Sequence, residues 1–196
     1  MEVLEQIKSE CLGCRKCVIG GQQINGKPSN VFSNMVKSKI MIIGQNPGRD
    51  EVSKGEPFVG ISGKFFDSSV LAILKLKRED LYISNTVKCF TPDNRKPFQV
   101  EIDNCRYLLD KEIELLQPIV IIALGGPAFQ QLTGMNGIMK HHGKPIFSPR
   151  YKTFVIPVIH PSPLNTNRPD MRAIFFDDLK SVGDFLNENN YYYHST

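Results

Sequence analysis

The sequence lacks a long apolar run, an even set of cysteines and a strong excess of one charge. Its longest purely apolar run is Ile119–Leu124, which is much too short to cross a bilayer. Five cysteines form an odd set, which argues against a disulfide framework and favours metal or cluster ligation. The N-terminal stretch carries acidic residues and no apolar signal segment, so we expect a cytoplasmic protein that does not contact a membrane.

Length and composition predict one folded domain over residues 1–196. The chain is 41% apolar and 22% charged, which excludes wholesale disorder. The net charge of +4 is mild; it suits an anionic partner without identifying one. The positive residues fall into three groups, namely Lys75/Lys77/Arg78, Lys88/Arg95/Lys96 and the stretch 140–152.

Four apolar segments that end in polar residues predict the fold. The β-branched run before Gly44 stops at a polar loop, and three later segments end at Asn85, Gly125 and His160. If these strands are parallel, Asn46 and the three later residues lie along one edge of the sheet, where open α/β sheets bind ligands. With helical patterns between the strands, the sequence predicts a three-layer α/β/α fold with a central four-stranded parallel sheet.

The connecting segments give further expectations. We predict helices over 2–16, from about Ser62, over Gln99–Leu116 and over Met171–Leu186. Residues 18–38 form a long coil that is either functional or pinned by the cysteines. The Gly-rich, basic stretch 134–152 predicts a hairpin or a mobile loop.

Four cysteines lie in two distant pieces of chain, as Cys14-x2-Cys17 and Cys89-x15-Cys105. Four thiolates hold either zinc or an iron–sulfur cluster, and nothing local chooses between them. Cys11 has the same spacing to Cys14 and could replace Cys14 or Cys17, while Cys89 and Cys105 could instead be buried structural thiols. Ligation would staple the N-terminal loop to the loop after the second strand, so we expect a structural role.

Taken together, the strand-end motifs resemble the uracil-DNA glycosylase superfamily. The resemblance covers roughly residues 5–186. It is carried by Gly44-Gln45-Asn46-Pro47-Gly48, Pro57-Phe58-Val59-Gly60, Asn85-Thr86-Val87-Lys88-Cys89, Asn94-Arg95-Lys96-Pro97 and His160-Pro161-Ser162-Pro163-Leu164.

The cysteines are similar to those of the family-4 branch. There, the resemblance implies that Cys14, Cys17, Cys89 and Cys105 hold a structural [4Fe–4S] cluster. Because Cys17-Val18-Ile19 fits the family's CxxCx(L/I) form better than Cys14-Arg15-Lys16 does, Cys14 is favoured over Cys11.

The catalytic motifs are hybrid. Family-4 proteins typically have Glu and a small residue where Gln45 and Asn46 stand, and His-Pro-Ala where this chain has His160-Pro161-Ser162. Asn46 is similar instead to the mismatch-specific and single-strand-selective families, and Leu164 to family 1. The body therefore resembles family 4, whereas the base range and the rate are open.

The resemblance assigns roles around a flipped base. His160 would donate a hydrogen bond to O2 of the departing uracil, and Asn85 would read the Watson–Crick edge through its carboxamide. Phe58 would stack on the base, and the loop at Gly44 and Gln45 would add backbone donors. Asn46 would position the attacking water, with slower turnover than an aspartate would give.

The resemblance also implies the DNA contacts. Leu164 is the candidate wedge that fills the gap left by the flipped nucleotide. Phosphate contacts are expected from Ser62, Gly63, Lys64, the Gly125-Gly126 amides, Ser162 and Arg168. We expect no lysine at the active edge, and therefore a monofunctional enzyme without lyase activity.

The leading hypothesis is thus a monomeric DNA glycosylase that removes uracil from DNA in base excision repair, without an obligate protein partner. Two hypotheses compete with it. One is a catalytically weak Fe–S protein that binds DNA or a damaged base, and the other is an unrelated zinc-bound nucleotide enzyme. A glycosylase with a broader range of deaminated bases is also open.

Overall fold

The computed structural model describes residues 2–191. Its helices are α1 (Glu2–Gly13), α2 (Arg49–Lys54), α3 (Ile61–Leu74), α4 (Gln99–Leu116), α5 (Gly126–Thr133), α6 (Pro163–Thr166) and α7 (Pro169–Glu188). Its strands are β1 (Gln23–Ile24), β2 (Lys27–Pro28), β3 (Ile40–Gly44), β4 (Tyr82–Asn85), β5 (Val120–Leu124), β6 (Ile146–Ser148) and β7 (Thr153–Val158). Within this part of the chain, no helix is both long and apolar enough to cross a membrane.

The central sheet has the strand order β4-β3-β5-β7-β6. The first four strands are parallel, which confirms the predicted parallel sheet. The predicted number of four strands is wrong, because β6 adds a fifth strand that pairs antiparallel with β7. The hairpin expected within the basic stretch 134–152 does not form there: that stretch contributes only β6, which pairs with β7, the predicted strand before His160. β6 is only three residues long, too short for a periodic pattern to reveal.

The sheet separates two apolar layers, since successive side chains of a strand point to opposite faces. In β3, Ile40 and Ile42 pack with α3 and α7 on one face. Met41 and Ile43 pack with α1, α4 and α5 on the other face. Both faces are covered, so β3 and β5 are buried at every residue and read as unbroken apolar runs. This arrangement leaves the carboxyl edge of the sheet free to carry loops.

The predicted helix α4 has the observed bounds, whereas two others differ at their ends. α1 stops at Gly13, before the predicted residue 16, where the N–H of Cys14 bonds to the Cys11 carbonyl oxygen three residues back at 3.1 Å. α7 begins two residues earlier than predicted, with Pro169 in its first turn, where a missing N–H costs nothing. The coil before β3 contains only the small β1–β2 hairpin and a bridge between Asn30 and Cys89.

Candidate active site and cysteine cavity

A cavity of about 680 Å³ lies at the carboxyl ends of the parallel strands. The pairing of Gly44 with Asn85 brings the ends of β3 and β4 to the same level. The predicted site residues that line the cavity are Gln45, Asn46, Phe58, Ser62, Asn85, His160, Ser162 and Leu164, together with Gly125 and Gly126. The parallel topology therefore brings most of the predicted site together.

Two glycines of the prediction support this cavity without lining it. A Cβ on Gly44 would lie 2.6 Å from both Asn85 Oδ1 and the Phe58 ring, so the close approach of these groups requires glycine. A Cβ on Gly63 would lie 1.9 Å from the Phe58 carbonyl oxygen. The lack of a side chain at both positions therefore leaves the space that Phe58 occupies.

Phe58 is held in a backbone conformation that is uncommon for a non-glycine residue, with φ of +54°. Arg78 fixes it by donating hydrogen bonds to the carbonyl oxygens of Pro57 and Phe58, the latter at 3.1 Å. Arg78 is in turn paired with Asp67 at 3.2 Å. The ring lies 6.1 Å from the His160 ring, centroid to centroid. An aromatic face and an imidazole thus lie on neighbouring walls of the cavity.

Asn85 carries the most telling polar group of the site. The residue is 1% exposed, and neither Oδ1 nor Nδ2 has a hydrogen-bond partner within the described residues. Its backbone is fixed, because Lys88 Nζ donates to the Asn85 carbonyl oxygen at 2.7 Å. A buried amide with both ends unpaired is costly and rare. It is a preformed donor–acceptor pair for a ligand that offers the complementary edge.

His160 follows β7 and is anchored on both sides. Asn165 Nδ2 donates to the His160 carbonyl oxygen at 2.8 Å, and the N–H of Ile159 donates to Asp178 Oδ2 at 3.0 Å. Asp178 also pairs with His142 at 2.7 Å. Burial lowers the pKa of His160 to about 4, although Glu51 opposes that shift. At neutral pH the ring is therefore uncharged and can donate one hydrogen bond.

The carboxamide of Asn46 is oriented by its neighbours. Its Oδ1 accepts a hydrogen bond from Gln45 Nε2 at 2.8 Å. Its Nδ2 reaches the Pro47 carbonyl oxygen at 3.1 Å, Thr91 Oγ1 at 3.3 Å and Asn94 Oδ1 at 3.4 Å. Because a carbonyl oxygen has two lone pairs, Oδ1 can still accept one hydrogen bond from a water.

Sequence reasoning missed Glu51, which ties the first two motifs together. Its Oε2 accepts the N–H of Gly48 at 3.0 Å, and its Oε1 accepts those of Val59 and Gly60 at 3.0 and 2.9 Å. The side chain also lines the cavity. A glutamate three residues after a helix N-cap is the usual sequence sign of this bond to the cap, and it was available here in Gly48-x-x-Glu51.

The rim of the cavity corrects one expectation and adds two residues. Lys96 lines the cavity with an exposed side chain, so the expectation of no lysine at the active edge is wrong. The reason is that the loop after β4 folds back over the strand ends, which its sequence spacing does not reveal. Ile138 and Met139 also line the cavity, from the short 3₁₀ helix Ile138–Lys140 that no pattern predicted.

The predicted DNA contacts are placed unevenly. Leu164 is 85% exposed on α6, and Ser162 precedes the first residue of that helix. Lys64 is exposed on α3 but does not line the cavity. Arg168 is exposed just before α7, where it pairs with Asp170 at 2.8 Å. These positions leave all four side chains accessible to a long ligand.

The second site is a small cavity of about 10 Å³ among the cysteines. All five cysteines line it, so the choice between Cys11 and Cys14 stays open. Burial raises the pKa of Cys89 to about 12 and that of Cys105 to about 11, and neighbouring thiols add to both shifts. Among residues 2–191, no three His, Cys, Asp or Glu side chains are arranged to hold a single metal ion.

Five thiols around one cavity are a donor set that suits either zinc or an iron–sulfur cluster. Thiols distributed around a cavity match the needs of a larger iron–sulfur unit. The N–H of Lys88 already donates to Cys105 Sγ at 3.2 Å, which is the kind of bond that stabilises a ligating sulfur.

Lys88 itself corrects the charge analysis. It was grouped with Arg95 and Lys96 as part of a basic patch, but it is 1% exposed. Its ammonium pairs with the buried Glu112 at 2.7 Å and also donates to Ser84 Oγ at 2.6 Å. A lysine next to a strand end can point inward when a buried carboxylate lies on the facing helix. The sequence predicts that helix, α4, but not that its Glu112 faces Lys88.

Comparison with known proteins agrees with this geometry. Residues 31–180 match the family model described as the uracil DNA glycosylase superfamily. The chain is 36% identical to the type-4 uracil-DNA glycosylase of Archaeoglobus fulgidus over 94% of each protein. It is 33% identical to that of Sulfurisphaera tokodaii, over 93% of this chain and 84% of the relative, and 35% identical to that of Thermotoga maritima, over 94% and 96%. The chain therefore belongs to the uracil DNA glycosylase superfamily.

Proposed function

We propose that the protein is a monofunctional uracil-DNA glycosylase of base excision repair. One observation carries the proposal: Asn85 presents an unpaired buried amide in the same cavity as the Phe58 ring and the His160 imidazole. Relatives named type-4 uracil-DNA glycosylases, similar over most of the chain, support the same activity.

Recognition would use the amide of Asn85. Its Nδ2 can donate to O4 of uracil while its Oδ1 accepts from N3–H, which satisfies both orphaned atoms. Phe58 would stack on the base. A flipped base fits because the enzyme cannot reach the glycosidic bond inside a duplex. Leu164, exposed at the rim, is the residue that would fill the gap in the stack.

Bond cleavage would use His160 and Asn46. As the bond between N1 and C1′ breaks, the electron pair leaves with the uracil and negative charge develops at O2. The neutral His160 can donate a hydrogen bond to that oxygen without first losing a proton. Asn46, oriented by Gln45, would hold the water that adds to C1′ and releases its proton to solvent.

The exposed cations would contact the DNA backbone. Ser62 and Ser162 lie at the cavity wall, and Lys64 and Arg168 lie farther out on α3 and before α7. Lys96 at the rim would bind a phosphate, because its cationic side chain is exposed beside the cavity.

A [4Fe–4S] cluster held by Cys14, Cys17, Cys89 and Cys105 completes the proposal. When bound, it would join the N-terminal loop to the loop after β4, a structural rather than a chemical contribution. We also propose that residues 1–196 act as one domain, as a monomer. Free thiols that must stay reduced to hold such a cluster favour a reducing compartment such as the cytoplasm.

The test is an abasic-site assay with oligonucleotides that carry uracil, hypoxanthine, xanthine or thymine, each in single- and double-stranded form. We expect excision of uracil. Asn85→Asp should weaken it strongly, because the carboxylate cannot donate to O4 and repels the departing anion. Asn187→Asp on α7, far from the cavity, is the matched control. Uracil excision that is equal in wild type and Asn85→Asp would remove Asn85 from the pocket.

A further inference from the structure

An exposed aromatic side chain lies on the segment that leads away from the cavity. Asn94 and Lys96 line the cavity, and Phe98 follows two residues later, just before α4. Two residues of chain span at most about 7 Å, so Phe98 lies beside the rim. It is 60% exposed. An aromatic ring so exposed forgoes the burial that usually stabilises it.

The ring is held in place. The guanidinium carbon of Arg95 lies 3.7 Å from the centroid of the Phe98 ring. Arg95 is fixed by two hydrogen bonds to the buried carboxylate of Glu101, at 2.7 and 2.9 Å. The N–H of Phe98 donates to the same carboxylate at 2.7 Å. One buried acid therefore orients both members of the stack, and Phe98 is a rigid platform.

The chemistry of this platform selects its ligand. An exposed aromatic ring beside a positively charged groove is the arrangement that binds unpaired bases, because every base has a face that can stack. The exposed Lys96 suits the phosphates of the same strand, whereas Arg95 is already paired with Glu101. The platform also lies two residues from Lys96, which lines the cavity that would receive the uracil.

We propose that Phe98 is a stacking subsite for an unpaired nucleobase next to the flipped uracil on the same strand. This inference rests on the proposed function. In a single strand the neighbouring base is free to stack on the ring, whereas in a duplex it is already stacked and paired. Phe98 would therefore favour uracil in single-stranded or locally melted DNA.

The experiment measures the affinity of the complete protein for a fluorescein-labelled oligonucleotide with a central tetrahydrofuran abasic-site analogue. The probe is used as a single strand and as a duplex. The variants are Phe98→Ala, Phe98→Leu and Phe98→Trp. Phe147→Ala is the matched control, because Phe147 is 53% exposed on β6 and does not line the cavity.

We expect Phe98→Ala and Phe98→Leu to weaken single-strand binding by about 5- to 100-fold, the range of one stacked base. Duplex binding should fall much less, and Phe98→Trp should bind at least as tightly as wild type. The control should not change. The single-turnover rate of uracil excision at saturating DNA should also be unchanged, since Phe98 touches no reacting atom.

A second set of probes locates the base. Each carries one additional tetrahydrofuran residue at a neighbouring position of the strand. At the position whose base stacks on Phe98, removing that base should make wild type bind the single strand no more tightly than Phe98→Ala does.

Three outcomes overturn the subsite. The first is single-strand binding by Phe98→Leu equal to that of wild type, and the second is an equal loss of affinity for single strand and duplex. The third is a molecular mass in solution that is twice that of one chain for wild type but not for Phe98→Ala, which would show that the Phe98 platform joins two copies. Failure of wild type to excise uracil at all would instead refute the proposed function.

Discussion

Two buried polar residues near the end of β4, Asn85 in the active-site cavity and Lys88 in the cysteine cavity, are paired in opposite ways. In the first, the amide of Asn85 is buried with both ends unpaired. In the second, the ammonium of Lys88 has three partners, namely Glu112, Ser84 and the Asn85 carbonyl oxygen. A buried polar group without a partner destabilises the folded protein, and a ligand that forms the missing hydrogen bonds removes that destabilisation. A buried group with all its partners instead stabilises the local structure.

The comparison shows how this protein separates recognition from support. Asn85 takes its backbone position from Lys88, and the N–H of Lys88 donates to Cys105. The residues around the cysteine cavity therefore hold Asn85, the residue proposed to face the base, but they contribute no atom to the active-site cavity. Variants on the two sides should fail in different ways, and the following predictions use that difference.

The largest effect is expected from Cys89→Ser. The free energy of metal binding in a structural site contributes directly to the free energy of folding. Loss of a ligand should therefore lower the stability of the loops around the cysteines more than it lowers the excision rate of the molecules that remain folded. Anaerobically purified wild type should be brown with about four irons per chain, and the variant should lose iron and melt at lower temperature.

Cys11→Ala is the control for that prediction. It should keep the iron, because Cys14 and Cys17 are the favoured ligands. Loss of iron in Cys11→Ala together with retention in Cys17→Ala would show that the ligand choice is wrong.

Lys88→Met should destabilise the protein by about 3–5 kcal/mol, because it leaves the Glu112 carboxylate buried without a partner. Lys88→Met/Glu112→Leu removes both charges and should recover most of that stability. Urea unfolding measures both effects. If the double variant were as unstable as the single one, the two side chains would stabilise the fold by more than neutralising each other's charge.

His160→Ala should slow excision without disturbing the fold. It removes a donor aimed at charge that exists mainly in the transition state, which is typically worth about 3–4 kcal/mol, or a hundred- to a thousandfold in rate. Single-turnover kinetics on uracil-DNA measure the rate, and binding to the same DNA should barely change. A large loss of binding with an unchanged rate would place His160 in substrate capture instead.

His160 should also make stability depend on pH. Its pKa is near 4 in the folded protein and about 6.5 when unfolded, so the unfolded state binds more protons between these values. Stability is therefore lost as the pH falls from about 6.5 to 4, by up to about 3 kcal/mol. Urea unfolding at a series of pH values should show this slope in wild type, and His160→Gln should lack it.

Asn46→Ala should have the smallest effect, because bulk water can partly replace a water that the side chain only orients. We expect a loss below that of His160→Ala in the same assay. Asn46→Asp tests the role more sharply. A carboxylate would stabilise the cationic sugar, but it would also face Asn94 Oδ1 and the Pro47 carbonyl oxygen, which now accept from Nδ2.

A rate for Asn46→Asp that matches or exceeds wild type would support the water-positioning role. An inactive Asn46→Asp that still binds uracil-DNA would make Asn46 a donor to the base. Gln45, which contacts Asn46, would then be the first residue to test for the water.

The parallel sheet and most of the candidate site could be predicted because they depend on local signals. Apolar β-branched runs that stop at polar residues identify β3, β4, β5 and β7. Parallel pairing then places their carboxyl ends together, so Asn85 and His160 meet in one cavity. The short strand β6 and the 3₁₀ helix at Ile138 escaped prediction, since three residues are too few to show a period.

What the sequence by itself determined is therefore the layer architecture, the strand-end motifs and the set of thiols. Only the tertiary structure decided which charges face inward and which residues approach from distant loops. Lys88 became part of the core because α4 brings Glu112 to it, and Glu51 joined two motifs because α2 faces the loop at Val59. The physical reason is that side-chain direction and long-range pairing depend on packing between elements, which local periodicity does not encode.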